Sequence, residues 1–160
     1  MILWLKRRIL SKRPGNAYVE FGLLCPLLVT ALGSVADFGL SIWSRARLSD
    51  AVSHGAEYAA VVGPGVSGTN VQSAVTKAVT PLTGVSVTVT GPACYCVSGS
   101  PAALSYSGTY SNGACSGTCT NSSPGLFVQI SATYTYSPVM PFYERFASTT
   151  LTENAVVRLQ

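Results

Sequence analysis

KRPGNAYVEFGLLCPLLVTALGSVADFGLSIW, residues 12–43, is the stretch that decides the architecture of this chain. Lys6, Arg7, Arg8, Lys12 and Arg13 crowd ahead of Pro14-Gly15, and Glu20 is the fifth residue after that glycine. Residues 21–36 are then apolar almost without a break. As a helix, residues 17–43 would measure roughly 40 Å, against a hydrocarbon core of about 30 Å. Glu20 and Asp37 therefore fall near the two interfaces. A carboxylate deep in lipid costs roughly 2.5–3.5 kcal/mol on insertion scales, so Glu20 calls for a partner. A cut after Gly15 would supply one. Asn16 would carry a free amine on every copy, and Glu20 of a neighbouring copy would meet it.

Composition agrees with a small exported membrane protein. Only 10% of the 160 residues are charged and 48% are hydrophobic, where a soluble domain usually carries about 25% charged residues. The length allows one modest domain and one anchor. The net charge of +4 belongs to the leader. Beyond Gly15, five basic residues face six acidic ones, a balance of −1. No basic patch for nucleic acid remains. Five positive charges before the apolar run, against Arg45 and Arg47 offset by Asp50 and Glu57 after it, place the N-terminus in the cytoplasm and the rest outside.

Cys25 sits within the apolar run and reads as a small hydrophobe. Cys94, Cys96, Cys115 and Cys119 lie together in the exported part, as C-x-C and C-x-x-x-C. A bond between Cys94 and Cys96 would close a strained, very small ring, which favours two bonds crossing between the pairs. Four cysteines as a zinc site are the competing reading. The spacing lacks C-x-x-C knuckles, and an oxidising compartment favours disulfides.

Leu48, Val52, Ala56 and Ala59 recur at helical spacing, so the membrane helix should continue to about Val62 and stop at Gly63-Pro64-Gly65. Thr69 or Asn70 can cap a second helix that buries Val71, Ala74, Val75, Ala78 and Val79 and ends at Pro81. Residues 85–90 alternate strictly and predict a half-buried strand. Residues 91–125, with eight Ser, six Gly and the four exported cysteines, predict a long loop clamped by disulfides. Val128, Ile130, Ala132, Tyr134 and Tyr136 form one face of a second strand. Pro138 and Pro141 bracket a turn, and Leu151, Glu153, Ala155 and Val157 line a last strand. The result is an α+β fold, in which a long N-terminal transmembrane helix continues into a small exported domain with a short helix and a three-stranded antiparallel sheet. The expected division is a cytoplasmic leader over residues 1–15, a transmembrane helix over 16–43 and the exported domain over 44–160.

Gly15-Asn16-Ala17-Tyr18-Val19-Glu20-Phe21, Pro26-Leu27-Leu28, Asp37-Phe38-Gly39 and Arg47-Leu48 together resemble the TadE-like family of pseudopilins, in the tight-adherence (Flp) branch of type IV pilus systems. Cys25 stands where that family has the first leucine of its proline motif. The strong likeness covers about residues 13–60, and the terminal strand, residues 151–158, is similar to the family's more weakly. The resemblance implies a pilin-like fold, cleavage between Gly15 and Asn16 by a prepilin peptidase, and residence in the bacterial inner membrane. It implies that Glu20 neutralises a neighbour's N-terminal amine, with Phe21 and Asp37 also in the assembly motif. The implied partners are other Tad/Flp pilins and pseudopilins, and the implied role is a minor pilin or pseudopilin in pilus assembly, tied to bacterial adhesion.

Two other classes compete. Ser34-Val35-Ala36 has the small-x-small form of a signal-peptidase site, and cleavage after Ala36 would release a secreted disulfide-bonded binding protein. Glu20 at the start of the apolar run argues against it, as does the apolar pattern that continues past the cut. An enzyme is disfavoured: the chain has no G-x-S-x-G, no H-E-x-x-H and a single histidine, too little for acid–base chemistry. No catalytic residue, cofactor or metal site is expected. His54, with Glu57 three residues on, reads as a surface pair. A competing reading of Glu20 is a side chain that snorkels on a plain anchor helix.

Overall fold

The computed structural model describes residues 16–98, 103–120, 122–140 and 142–160. The basic leader expected over residues 1–15, Gly15 included, lies outside the described residues. Helix α1 (Asn16–Val62) runs for 47 residues and carries Pro26 in its interior. It ends where the glycines were expected to end it, in a single 3-10 turn, Gly63–Gly65. Gly63 has φ 69°, a left-handed conformation that glycine adopts without steric cost.

Two halves of α1 differ in what they touch. Residues 17–36 are exposed around nearly the whole circumference, with only Cys25 and Gly33 half-buried. From Asp37 onward a stripe is buried: Asp37, Ser41, Ser44, Leu48, Ala51, Val52, Gly55 and Ala59. Steps of three and four put these on one helix face. α1 is long and apolar enough to cross a membrane. In its bare half, Thr30 and Ser34 donate their hydroxyls to the carbonyls of Leu27 and Thr30, at 2.9 and 2.8 Å. Such back-bonding satisfies each hydroxyl within the helix's own backbone.

Helix α2 (Gly68–Ala78) has Ser67 at its N-cap position with no capping bond from the side chain, so Thr69 and Asn70, the expected caps, both lie inside the helix. The N–H of Val71 donates to the Ser67 carbonyl at 3.1 Å. Val71, Val75 and Val79 are buried, as the periodicity required. Gly55 of α1 lies directly against Val75. A larger residue at 55 would push the two helices apart.

Among the described residues, six strands follow: β1 (Ser86–Ser98), β2 (Ala103–Gly108), β3 (Tyr110–Ser111), β4 (Ala114–Cys115), β5 (Gly125–Thr135) and β6 (Thr150–Arg158). Four of them form an antiparallel sheet in the order β2-β1-β5-β6. β3 and β4 make a two-stranded ribbon beside it. The three-stranded expectation is thus one strand short, because residues 91–125 hold the second half of β1, all of β2 and the ribbon. β1 survives Gly91-Pro92 by a bulge: the register with β5 shifts between Thr90 and Ala93. Gly91 takes φ 107°, and a Cβ there would stand 2.7 Å from the Phe127 carbonyl oxygen. Only glycine allows so close an approach at that bulge.

Val128, Ile130 and Ala132 of β5 pack under α1 and α2 with Val87 of β1, while Leu151, Ala155 and Val157 of β6 add half-buried edges. Ile130 pairs with Val89 on one side and Ala155 on the other. Fully burying side chains of this size contributes about 1.5–3 kcal/mol each before entropy is counted. Glu153, on the inward face of β6, meets the Arg45 Nε of α1 at 2.7 Å, an ion pair that ties the helix to the sheet edge.

Both disulfides cross between the pairs, Cys94–Cys115 and Cys96–Cys119, so all four exported sulfurs are bonded. The first fastens β1 to the ribbon, with Cys94 fully buried. It spans 21 residues, a loop whose closure stabilises by about 3 kcal/mol in the chain-entropy model. The Cys94→Ala/Cys115→Ala double variant should melt about 10 °C below the wild type. Thermal denaturation of the detergent-solubilised chain reads this directly, and an unchanged melting temperature would remove the clamp from the stability argument.

Candidate assembly helix and its anchor

Asn16 is the first residue of α1. Glu20 and Phe21 lie on the bare half of that helix, both exposed. Tyr18, Val19, Leu23, Leu24, Leu27 and Leu28 surround them, each at least half exposed. A helix that is apolar on every side needs a solvent of lipid or of other helices. Gly22, where an added Cβ would meet nothing within 4 Å, is a low point on this surface, and Ala31 is another. At such places a second helix can approach closely.

Asp37 stands apart from that group. It is 17 residues along the helix from Glu20, roughly 26 Å at 1.5 Å per residue. Its side chain is fully buried, and the three hydrogen bonds it accepts come from the connection between β5 and β6. The Tyr136 hydroxyl donates to Oδ1 at 3.0 Å, the Val139 N–H to Oδ1 at 2.9 Å and the Met140 N–H to Oδ2 at 2.7 Å. One turn on, Ser41 Oγ accepts from the Tyr143 hydroxyl at 2.7 Å. The Phe38 ring packs at a tilt of 50° against Tyr143, centroids 5.1 Å apart, and the Tyr143 ring in turn lies 5.5 Å from Tyr136. Burial first, and then donation to Asp37, push the Tyr136 phenol up to about 12. It therefore remains a donor throughout the working pH range.

This arrangement holds rather than reacts. A carboxylate accepting three hydrogen bonds, two from backbone amides, is fixed in place, and its Tyr136 neighbour keeps its proton well above neutral pH. Asp37 is the clasp by which the domain grips α1. Its donors come from residues 99 to 103 positions away in sequence. Sequence reading placed Tyr136 in the second strand, whereas β5 ends at Thr135 and Tyr136 lies just beyond it, and did not single out Val139, Met140 or Tyr143. Backbone amides carry no sequence signature, and the two tyrosines resemble ordinary core aromatics.

Elsewhere, His54 Nδ1 and Glu57 Oε2 lie 3.8 Å apart on an exposed face of α1, the surface pair that the spacing indicated. A groove of about 700 Å³ runs beside the Cys96–Cys119 bond, bordered by Ser105, Tyr106 and Thr118. No group of three or more metal-ligating side chains occurs among the described residues.

A long apolar helix whose second half is built into a small antiparallel-sheet domain defines an α+β protein with, among the described residues, one candidate membrane span. Residues 15–57 match the family model for TadE-like proteins, the family that the motifs of α1 resemble. That match covers the bare half of α1 and the clasp residue Asp37, and it ends before the sheet domain begins. No curated protein and no solved structure matches the chain.

Proposed function

We propose that this protein is a minor pilin or pseudopilin in the assembly of a Tad (Flp) type IV pilus, held in the bacterial inner membrane by α1 and joined to its partners through the bare half of that helix. The observation that carries this reading is the coincidence of the TadE-like match at residues 15–57 with a helix that is apolar and exposed over residues 17–36. Its role is structural, and the domain lies on the outer side of the membrane.

In this mechanism a prepilin peptidase cuts between Gly15 and Asn16. The freed amine of Asn16 on one subunit meets Glu20 of another within the membrane, where low dielectric strengthens the attraction and solvent does not compete. Charge sets the register while Phe21 and residues 23–36 supply packing area. The clasp at Asp37 then fixes how the sheet domain is carried on the assembled helix.

The mature N-terminus tests this. Mass spectrometry of the N-terminal peptide of the membrane-bound protein is expected to find Asn16 as the first residue. A chain beginning at Asp37 would instead mean release by signal peptidase. An uncut leader would leave Glu20 without a neighbouring amine to bind. Either of these results defeats the pilin mechanism.

A further inference from the structure

The connection between β5 and β6 does more than grip Asp37. It brings three large apolar side chains to the surface beside the bare half of α1. Val139 is 79% exposed, Phe142 62% and Phe146 78%, although Tyr143 within the same turn is buried. A short 3-10 turn, Tyr143–Arg145, sets Phe142 and Phe146 on either side of it. Met140 lies directly against Gly33. Phe142 and Phe146 share with Thr30, Ser34 and Phe38 the lining of a small cleft of about 50 Å³. The turn therefore reaches back along α1 to the level of Thr30.

That level falls inside the bilayer. If the span begins at residue 17, twenty residues of helix bring the outer edge of the hydrocarbon to about residue 36. Thr30 and Ser34 then lie roughly 9 and 3 Å below that edge. Starting the span after Glu20 moves the edge outward and puts them deeper. Trp43 marks the other limit: the Arg47 guanidinium lies 5.7 Å from its ring, a pairing suited to the headgroup layer. With the edge at either place, the rings packed beside Thr30 and Ser34 are at or below the boundary. Glu144 and Arg145, both exposed on the turn, favour the shallower one, with their heads in the polar layer and the arginine stem lying along it.

We propose that Val139, Phe142 and Phe146 form a lipid-seated foot, by which the exported domain rests in the outer interface of the membrane that α1 crosses. The occupant is the upper acyl region of the bilayer. The surface is continuous with the bare helix, whose apolar side chains on the same flank need the same solvent. A foot of this kind fixes the height and tilt of the domain before any partner engages it. It must also leave the lipid when the subunit is drawn out, so it opposes extraction until a neighbouring helix replaces the lipid. This inference rests on the reading of α1 as a membrane span.

Quenching of single tryptophans by brominated lipid tests it. The chain has two tryptophans, Trp4 and Trp43, and both are first changed to phenylalanine. Into that background go Phe146→Trp, Val139→Trp, Leu28→Trp as a span position and Tyr106→Trp as a position on the far strand β2. The full chain is reconstituted in phosphatidylethanolamine–phosphatidylglycerol vesicles, with and without bromine near the top of the acyl chain. Position 146 or 139 is expected to show at least about half the quenching seen at 28, with position 106 unaffected. Strong quenching at 28 with none at 146 and 139 would overturn the foot alone, including the case in which a second copy covers it. No quenching at any position would overturn both the foot and the membrane span.

Discussion

Asp37→Ala should lower the melting temperature of the detergent-solubilised protein by about 10 °C and open the chain to trypsin after Arg145. The substitution removes the acceptor for three donors at once: the Tyr136 hydroxyl and the Val139 and Met140 amides. A buried donor left without a partner costs about 1–3 kcal/mol. The variant no longer has to bury a carboxylate, which returns part of that loss. The Tyr136 hydroxyl is buried and the two amides only part-buried, so a net cost of about 2–4 kcal/mol follows, most of it falling on the β5–β6 connection. Asp37→Asn separates the contributions. Its amide oxygen can still accept from Val139 and Tyr136, while its NH2 group faces the Met140 N–H, so about half the loss is expected. Ser41→Ala, which removes only the acceptor of Tyr143, should cost about 1 kcal/mol. Melting and tryptic patterns for Asp37→Ala that match the wild type would show that the clasp does not hold the domain to the helix.

The clasp illustrates what sequence makes visible here and what it hides. α1 was legible to its last turn, because a continuous apolar run followed by a three–four stripe has one reading and glycines stop it. The disulfide crossing was legible because C-x-C leaves too little chain for a local bond. The fourth strand was hidden. Gly91-Pro92 ordinarily ends a strand, and residues 103–108 show serines and glycine rather than a clear apolar alternation. What holds β2 is its ladder to β1, in the region that the two disulfides fasten. The ladder is a hairpin between strands adjacent in the chain, while the disulfides reach 21 and 23 residues along it; neither pairing is recorded by local periodicity. Asp37 itself was legible as a polar residue at the end of an apolar run, and its partners were not. The duty the structure shows for Asp37 lies within its own chain, because all three bonds described for it are intramolecular.

Glu20→Ala should behave in the opposite way: no loss of fold, and a large loss of assembly. Glu20 lies on the exposed half of α1, far from the sheet core, so its removal leaves the core, the disulfides and the clasp intact. Insertion should persist, since alanine makes the span more apolar. Cleavage after Gly15 should persist as well, with Asn16 still the first residue. What disappears is the carboxylate proposed to meet a neighbour's amine. If that contact contributes at least about 1.4 kcal/mol per subunit, co-purification with partner pilins falls tenfold or more. Pilus output should fall with it. Glu20→Gln distinguishes charge from packing: it keeps the length and a hydrogen-bonding oxygen but not the charge, and it should fail nearly as badly as alanine. Full assembly by Glu20→Gln would assign the register to helix packing along residues 23–36. Full assembly by Glu20→Ala would remove Glu20 from the mechanism, and the bare surface between residues 17 and 36 would then have to supply specificity by shape alone.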